Sequence, residues 1–161
     1  YEIDVTPTFE PYTVTVKQKD YQPKFTNQKI GILTGGSSDI AIAEEAKAIA
    51  QLMGVKVISF HDVGIAGVHR LFNPLKELMK HNVKAIVVVA GMEGALPAII
   101  SSLVSVPVIG VPASTGYGYG GKGVGALMSM LQTCSPGLVV VNIDNGINAG
   151  ATAALIAKQS R

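Results

Sequence analysis

The chain has 161 residues, 48% of them hydrophobic and only 15% charged, with a formal net charge of +2. That length suits one domain with a real core, and so small a charge gives no electrostatic case for a nucleic acid or a membrane surface as partner. Apolar runs are broken by Gly, Pro or Ser before they reach the length of a membrane span. The single cysteine, Cys134, cannot close an internal disulfide, which suits a reducing, cytoplasmic setting. Low charge and eighteen glycines point to a homo-oligomer whose copies order one another's loops.

Residues 1–28 read as a linker or arm, in which Tyr12–Val16 alternates like a strand able to pair with a neighbouring chain. The first residue is Tyr1 rather than Met, and a domain upstream is expected. Residues 29–161 carry a five-fold strand–helix alternation. Lys29–Leu33 is the first strand, and the loop Thr34–Asp39 follows it. Ser37 or Ser38 is expected to cap the next helix, with Asp39 at its positive end. Ile42, Ala46, Ile49, Ala50 and Met53 recur at helical spacing before Gly54. Val55–Phe60 is the second strand, and His61–Arg70 its loop. Asn73-Pro74 signals the next helix. Ile86–Val89 is β-branched throughout and unrelieved by polar residues, as in a parallel strand covered on both faces. A helix over Ala98–Val104, a strand over Val106–Val111, the glycine loop Pro112–Gly123 and a helix over Val124–Thr133 come next. Leu138–Ile143 is the last strand and Ala149–Lys158 the last helix.

Strands alternating with helices predict an α/β fold, a three-layer sandwich around a five-stranded parallel flavodoxin-like sheet of order 2-1-3-4-5. Its switch point lies between the first and third strands, so Thr34–Asp39 and Gly91–Leu96 should meet there. Gly35-Gly36-Ser37-Ser38-Asp39 reads as a phosphate or ribose site, or as an ordinary capped turn. Glu93 is a general acid or base, or a helix-start carboxylate. His69-Arg70 suits anion handling, or is a solvated loop pair. His61 and His81 read as surface residues. Gly116-Tyr117-Gly118-Tyr119-Gly120-Gly121 fits a dinucleotide fingerprint or a mobile closing loop. On local sequence Cys134 reads as core packing, at a helix end that does nothing to make it a nucleophile, and no cluster has zinc spacing.

Together, Gly35–Asp39, His69-Arg70, Gly91–Pro97, Val111-Pro112 and Asn142–Gly146 resemble the aminoimidazole ribonucleotide carboxylase/mutase superfamily of purine synthesis. Met92–Pro97, Gly116-Tyr117-Gly118, Cys134 and Asn142–Gly146 are closer to its LarB branch, the pyridinium-3,5-biscarboxylic acid mononucleotide synthases of nickel-pincer nucleotide cofactor synthesis. Purine relatives carry Ser-Ala-His-Arg where this chain has Ile65-Ala66-Gly67-Val68-His69-Arg70, and they lack Cys134 and the Glu93 loop in this form. The resemblance implies that nicotinic acid adenine dinucleotide is carboxylated with CO2 and hydrolysed to release AMP. It further implies a divalent metal, Mg2+, whose ligands it does not fix, and an octamer. Cys134, Glu93 and His69 would be catalytic. Gly35, Gly36, Ser37, Ser38, Asp39, Arg70, Gly91, Met92, Gly94, Ala95, Gly116, Tyr117, Gly118 and Asp144 would bind substrate. Two other readings stand beside it, a carboxyaminoimidazole ribonucleotide mutase and a non-catalytic nucleotide-binding module.

Overall fold

The computed structural model describes residues 1–6 and 13–159. A two-stranded antiparallel hairpin, β1 (Glu2–Thr6) and β2 (Thr13–Lys17), precedes the main domain. Five parallel strands follow: β3 (Lys29–Thr34), β4 (Lys56–Phe60), β5 (Ile86–Ala90), β6 (Val108–Pro112) and β7 (Leu138–Val140). Their order is β4-β3-β5-β6-β7, which is 2-1-3-4-5 within the sheet, as the alternation predicts. Helices α1 (Ile40–Leu52), α2 (Phe72–Lys80), α3 (Ala95–Leu103), α4 (Val124–Leu131) and α5 (Gly146–Gln159) connect and cover the strands.

Strand β5 sits at the centre, and all five of its residues are buried. Alternate side chains enter opposite layers, because the strand period is two. Val87 and Val89 join Ile30, Ile32 and the alanines of α1 and α5. Ile86 and Val88 join Leu75 and Leu78 of α2, Ile100 of α3 and Met130 of α4. The α1–α5 layer is built from small residues. A Cβ added at Gly150 would lie 2.1 Å from the Ala46 carbonyl oxygen, so the two helix backbones touch there. Gly150→Ala should therefore cost about 3 kcal/mol through forced separation of the helices, or roughly 6–12 °C in melting temperature. An unchanged melting temperature would contradict this packing.

Several boundaries differ from expectation for local reasons. α3 starts at Ala95 rather than Ala98, because Pro97 falls in its first turn, where no N–H is needed. α5 starts at Gly146 rather than Ala149, because the Asn145 carboxamide accepts the Asn148 N–H at 3.0 Å and caps the helix early. The loop 61–70 contains a 3-10 segment, Ile65–Leu71, that leads directly into α2. Ser37 and Ser38 do not cap α1. They lie in a short 3-10 turn, Ser37–Asp39, and the Asp39 carboxylate accepts the Gly36 N–H instead. β2 pairs with β1 of its own chain, and Tyr12 lies outside the described residues. Residues past the hairpin are tied down as well: Tyr21 Oη donates to the Leu52 carbonyl at 2.7 Å.

Candidate active site

Four loops converge at the carboxyl ends of the strands and enclose a cleft of about 250 Å³. Gly35, Gly36, Ser38 and Asp39 come from the loop after β3. Gly64, Ile65 and Ala66 follow β4. Gly91, Met92 and Glu93, with Ala95 and Leu96 of α3, follow β5. Thr115, Gly116 and Tyr117 follow β6. The β3 and β5 loops flank the switch point, where open α/β sheets hold ligands.

The loops lie on one another through backbone. A Cβ on Gly64 would fall 2.5 Å from the Gly35 carbonyl oxygen, and one on Gly116 would fall 2.7 Å from the Met92 nitrogen. Only glycine permits these approaches. Glu93 is presented by a tight turn in which Gly94 N–H donates to the Gly91 carbonyl at 2.9 Å. Met92 in that turn has φ 47°, an unusual conformation for a side chain of its size. Strain of this kind collects where ligands are handled. Glu93 is exposed at the rim.

Asp39 is buried, and its carboxylate accepts from Gly36 N–H at 2.9 Å, Thr115 Oγ1 at 2.9 Å and Ser38 Oγ at 3.4 Å. Burial pushes its pKa up, its hydrogen bonds oppose that rise, and the nearby Asp144 charge adds to it. Asp144, with φ 58°, accepts the Ser114 N–H on its own carboxylate at 2.8 Å. The base of the glycine loop is thus held by two carboxylates, through Ser114 and Thr115.

A family model described as AIR carboxylase matches residues 29–161. The chain belongs to the AIR carboxylase family. A protein of uncharacterised function from Methanocaldococcus jannaschii is 56% identical over 146 residues, covering 91% of this chain and 56% of that protein. The chain thus spans about half of that relative's length. An N5-carboxyaminoimidazole ribonucleotide mutase of the same organism is 33% identical over 129 residues, 80% of this chain and 75% of the mutase. The mutase of Thermotoga maritima is 30% identical over 135 residues, 80% of this chain and 74% of its own. The members named for an activity are enzymes of carboxylated aminoimidazole nucleotides.

Against this family background, ten residues expected in the site line the cleft: Gly35, Gly36, Ser38, Asp39, Gly91, Met92, Glu93, Ala95, Gly116 and Tyr117. Ser37, Gly94, Gly118, His69, Arg70, Asp144 and Cys134 do not line it. Gly94 is buried against Ala126, and Arg70 is ion-paired with Asp62. Cys134, expected from local sequence to pack in the core, is instead an exposed thiol, because it lies on the connection between α4 and β7. Nearby Gly137 accepts the Val108 N–H at the amino end of β6, which puts Cys134 at the opposite end of the sheet from the cleft. The five-residue β6 alone spans roughly 13–17 Å.

Sequence reasoning missed Gly64, Ile65, Ala66 and Thr115. Their approach depends on contacts between loops, which leave no local pattern. His61 was expected at the surface but is half-buried, its Nδ1 3.5 Å from the Thr34 hydroxyl. Burial is the main force holding its imidazole below the ordinary 6.5; Glu44 opposes that shift and Lys47 adds to it. The unfolded chain therefore takes up this proton at a higher pH than the folded one. His61 leaves stability intact above 6.5 and lowers it as pH falls through 6.5 towards the depressed folded value. Urea midpoints should drop as pH falls below 6.5, and His61→Gln should flatten part of that drop. A variant with the wild-type pH profile would contradict this assignment.

Proposed function

We propose that this chain carboxylates the pyridinium ring of nicotinic acid adenine dinucleotide with CO2 and hydrolyses the phosphoanhydride to release AMP, as the LarB-branch motifs imply. The observation that carries the reading is the charge of the cleft. Among the described residues its charged side chains are the carboxylates Asp39 and Glu93, and no Lys, Arg or His lines it. The positive ring nitrogen of a pyridinium is attracted there, with the ring's own carboxylate and the phosphates turned away from both side chains.

The chemistry asks for two groups. A pyridinium ring is too electron-poor to attack CO2. A thiolate adding para to the ring nitrogen gives a dihydropyridine, an enamine whose neighbouring carbon is nucleophilic. That carbon bonds to CO2, and Glu93 then takes its proton. The electron pair of the C–H bond restores the aromatic ring, and the C–S electrons leave with the thiolate. Cys134 is the one thiol of the sequence. Because it lies at the far end of its own sheet, a second copy must bring it to the cleft. An oligomer, an octamer by resemblance, suits the exposed apolar residues Val124, Met128 and Leu131 along α4 and Ile3, Val5, Val14 and Val16 on one face of the hairpin.

Among the described residues no three His, Cys, Asp or Glu side chains gather into a metal-binding group. Magnesium is often held by one or two carboxylates with substrate phosphate oxygens. Asp144, exposed on the loop after β7, could offer one such oxygen. When bound, such an ion would neutralise charge on the phosphoanhydride. No described helix is long and apolar enough to cross a membrane, and we infer a cytoplasmic setting from the lone thiol.

Binding tests the charge argument. The oxidised, cationic form of a pyridine dinucleotide should bind about tenfold more tightly than the reduced, neutral form, a difference of about 1.4 kcal/mol. Glu93→Gln should narrow the gap. Equal affinities, with turnover of carboxyaminoimidazole ribonucleotide, would favour the mutase reading.

A further inference from the structure

Asp39 is the buried carboxylate of the cleft, 3% exposed. Two of its three donors, Gly36 N–H and Ser38 Oγ, belong to its own loop. The third, Thr115 Oγ1, reaches it at 2.9 Å from the glycine loop, 76 residues along the chain. Thr115 is itself exposed. A ligand hydroxyl can therefore reach Asp39 only if something moves, and Thr115 is the donor on a separate loop with solvent beside it.

We propose that the Thr115 hydroxyl is a placeholder for a ribose hydroxyl: it occupies the donor position on Asp39 Oδ1 in the free protein and is exchanged for the nucleotide's hydroxyl on binding. The proposal rests on the reading that this cleft takes a nucleotide. One O–H···O bond replaces another, so the buried carboxylate keeps its donor throughout. The exchange has a mechanical consequence. A Cβ on Gly91 would lie 2.8 Å from Thr115 Oγ1, and the neighbouring Gly116 rests on the Met92 backbone. Freeing Thr115 loosens both contacts, and with them Tyr117 at the cleft wall. Ribose recognition at Asp39 is thereby coupled to the loop that covers the ring. Thr115 is a positioning residue, acting through Asp39.

The test measures Thr115→Val, Thr115→Ser and wild type by melting temperature, with and without saturating nicotinic acid adenine dinucleotide, and by calorimetric titration with it. Thr115→Val removes a donor that only the free protein uses. Its melting temperature should fall below wild type without nucleotide and match wild type with it. Its dissociation constant should tighten by about three- to tenfold, since wild type must break the Thr115 bond in order to bind. Thr115→Ser, which keeps the hydroxyl, should restore wild-type values. Thr115→Ala gives the same comparison if Thr115→Val does not fold. A hydroxyl-free variant equally destabilised with and without nucleotide, or binding it no tighter than wild type, overturns the exchange. Failure of wild type to bind the dinucleotide overturns the nucleotide reading, and the exchange with it.

Discussion

Replacing Cys134 by alanine is expected to abolish ring carboxylation, by at least about a thousandfold, in a protein that folds and assembles normally. The thiol is exposed, so its loss removes little packing. Cys134→Ser should be almost as inactive, because a serine hydroxyl does not add to the ring unaided. Position adds a sharper consequence. If the thiol serves the cleft of another copy, Cys134→Ala and Glu93→Gln damage different halves of a shared site. Co-assembled in equal amounts, the two inactive variants should recover about a quarter of wild-type activity, the fraction of sites with both groups intact. If both groups came from one chain, the mixture would stay inactive. Normal turnover by Cys134→Ala would remove the thiol mechanism altogether.

The second large effect is expected at Glu93. Glu93→Gln keeps the turn that presents the side chain but cannot take the ring proton. Turnover should fall by about a hundred- to ten-thousandfold. The ring then cannot regain aromaticity after CO2 addition, so the thioether adduct should build up. It is detectable as nucleotide mass on Cys134 and as dihydropyridine absorbance. Loss of turnover without adduct would place Glu93 in binding rather than proton transfer.

The sheet was legible because its signals are local. The Ile86–Val89 run has nothing polar to spare for solvent, and β5 is buried throughout. Glycine-containing loops separated the strands, so parallel units with right-handed crossovers were legible, and the flavodoxin-like order 2-1-3-4-5 matches the sheet. The Glu93 loop was legible for the same reason, since a strand followed by Gly-Met-Glu-Gly must end in a turn. Helix starts were less so: Pro97 inside a first turn and Asn145 as a cap each moved a boundary by about one turn. Thr115 and the stretch Gly64–Ala66 were invisible, because what places them is backbone from another loop. Asp39 was legible as a site residue, but not as one already occupied by Thr115.

The most direct test of the central claim is incubation of the wild-type oligomer with nicotinic acid adenine dinucleotide and isotopically labelled CO2, followed by mass analysis. The account predicts label in a doubly carboxylated pyridinium mononucleotide, with one AMP released for each. Unlabelled, intact dinucleotide, together with interconversion of carboxyaminoimidazole ribonucleotides by the same preparation, would contradict it.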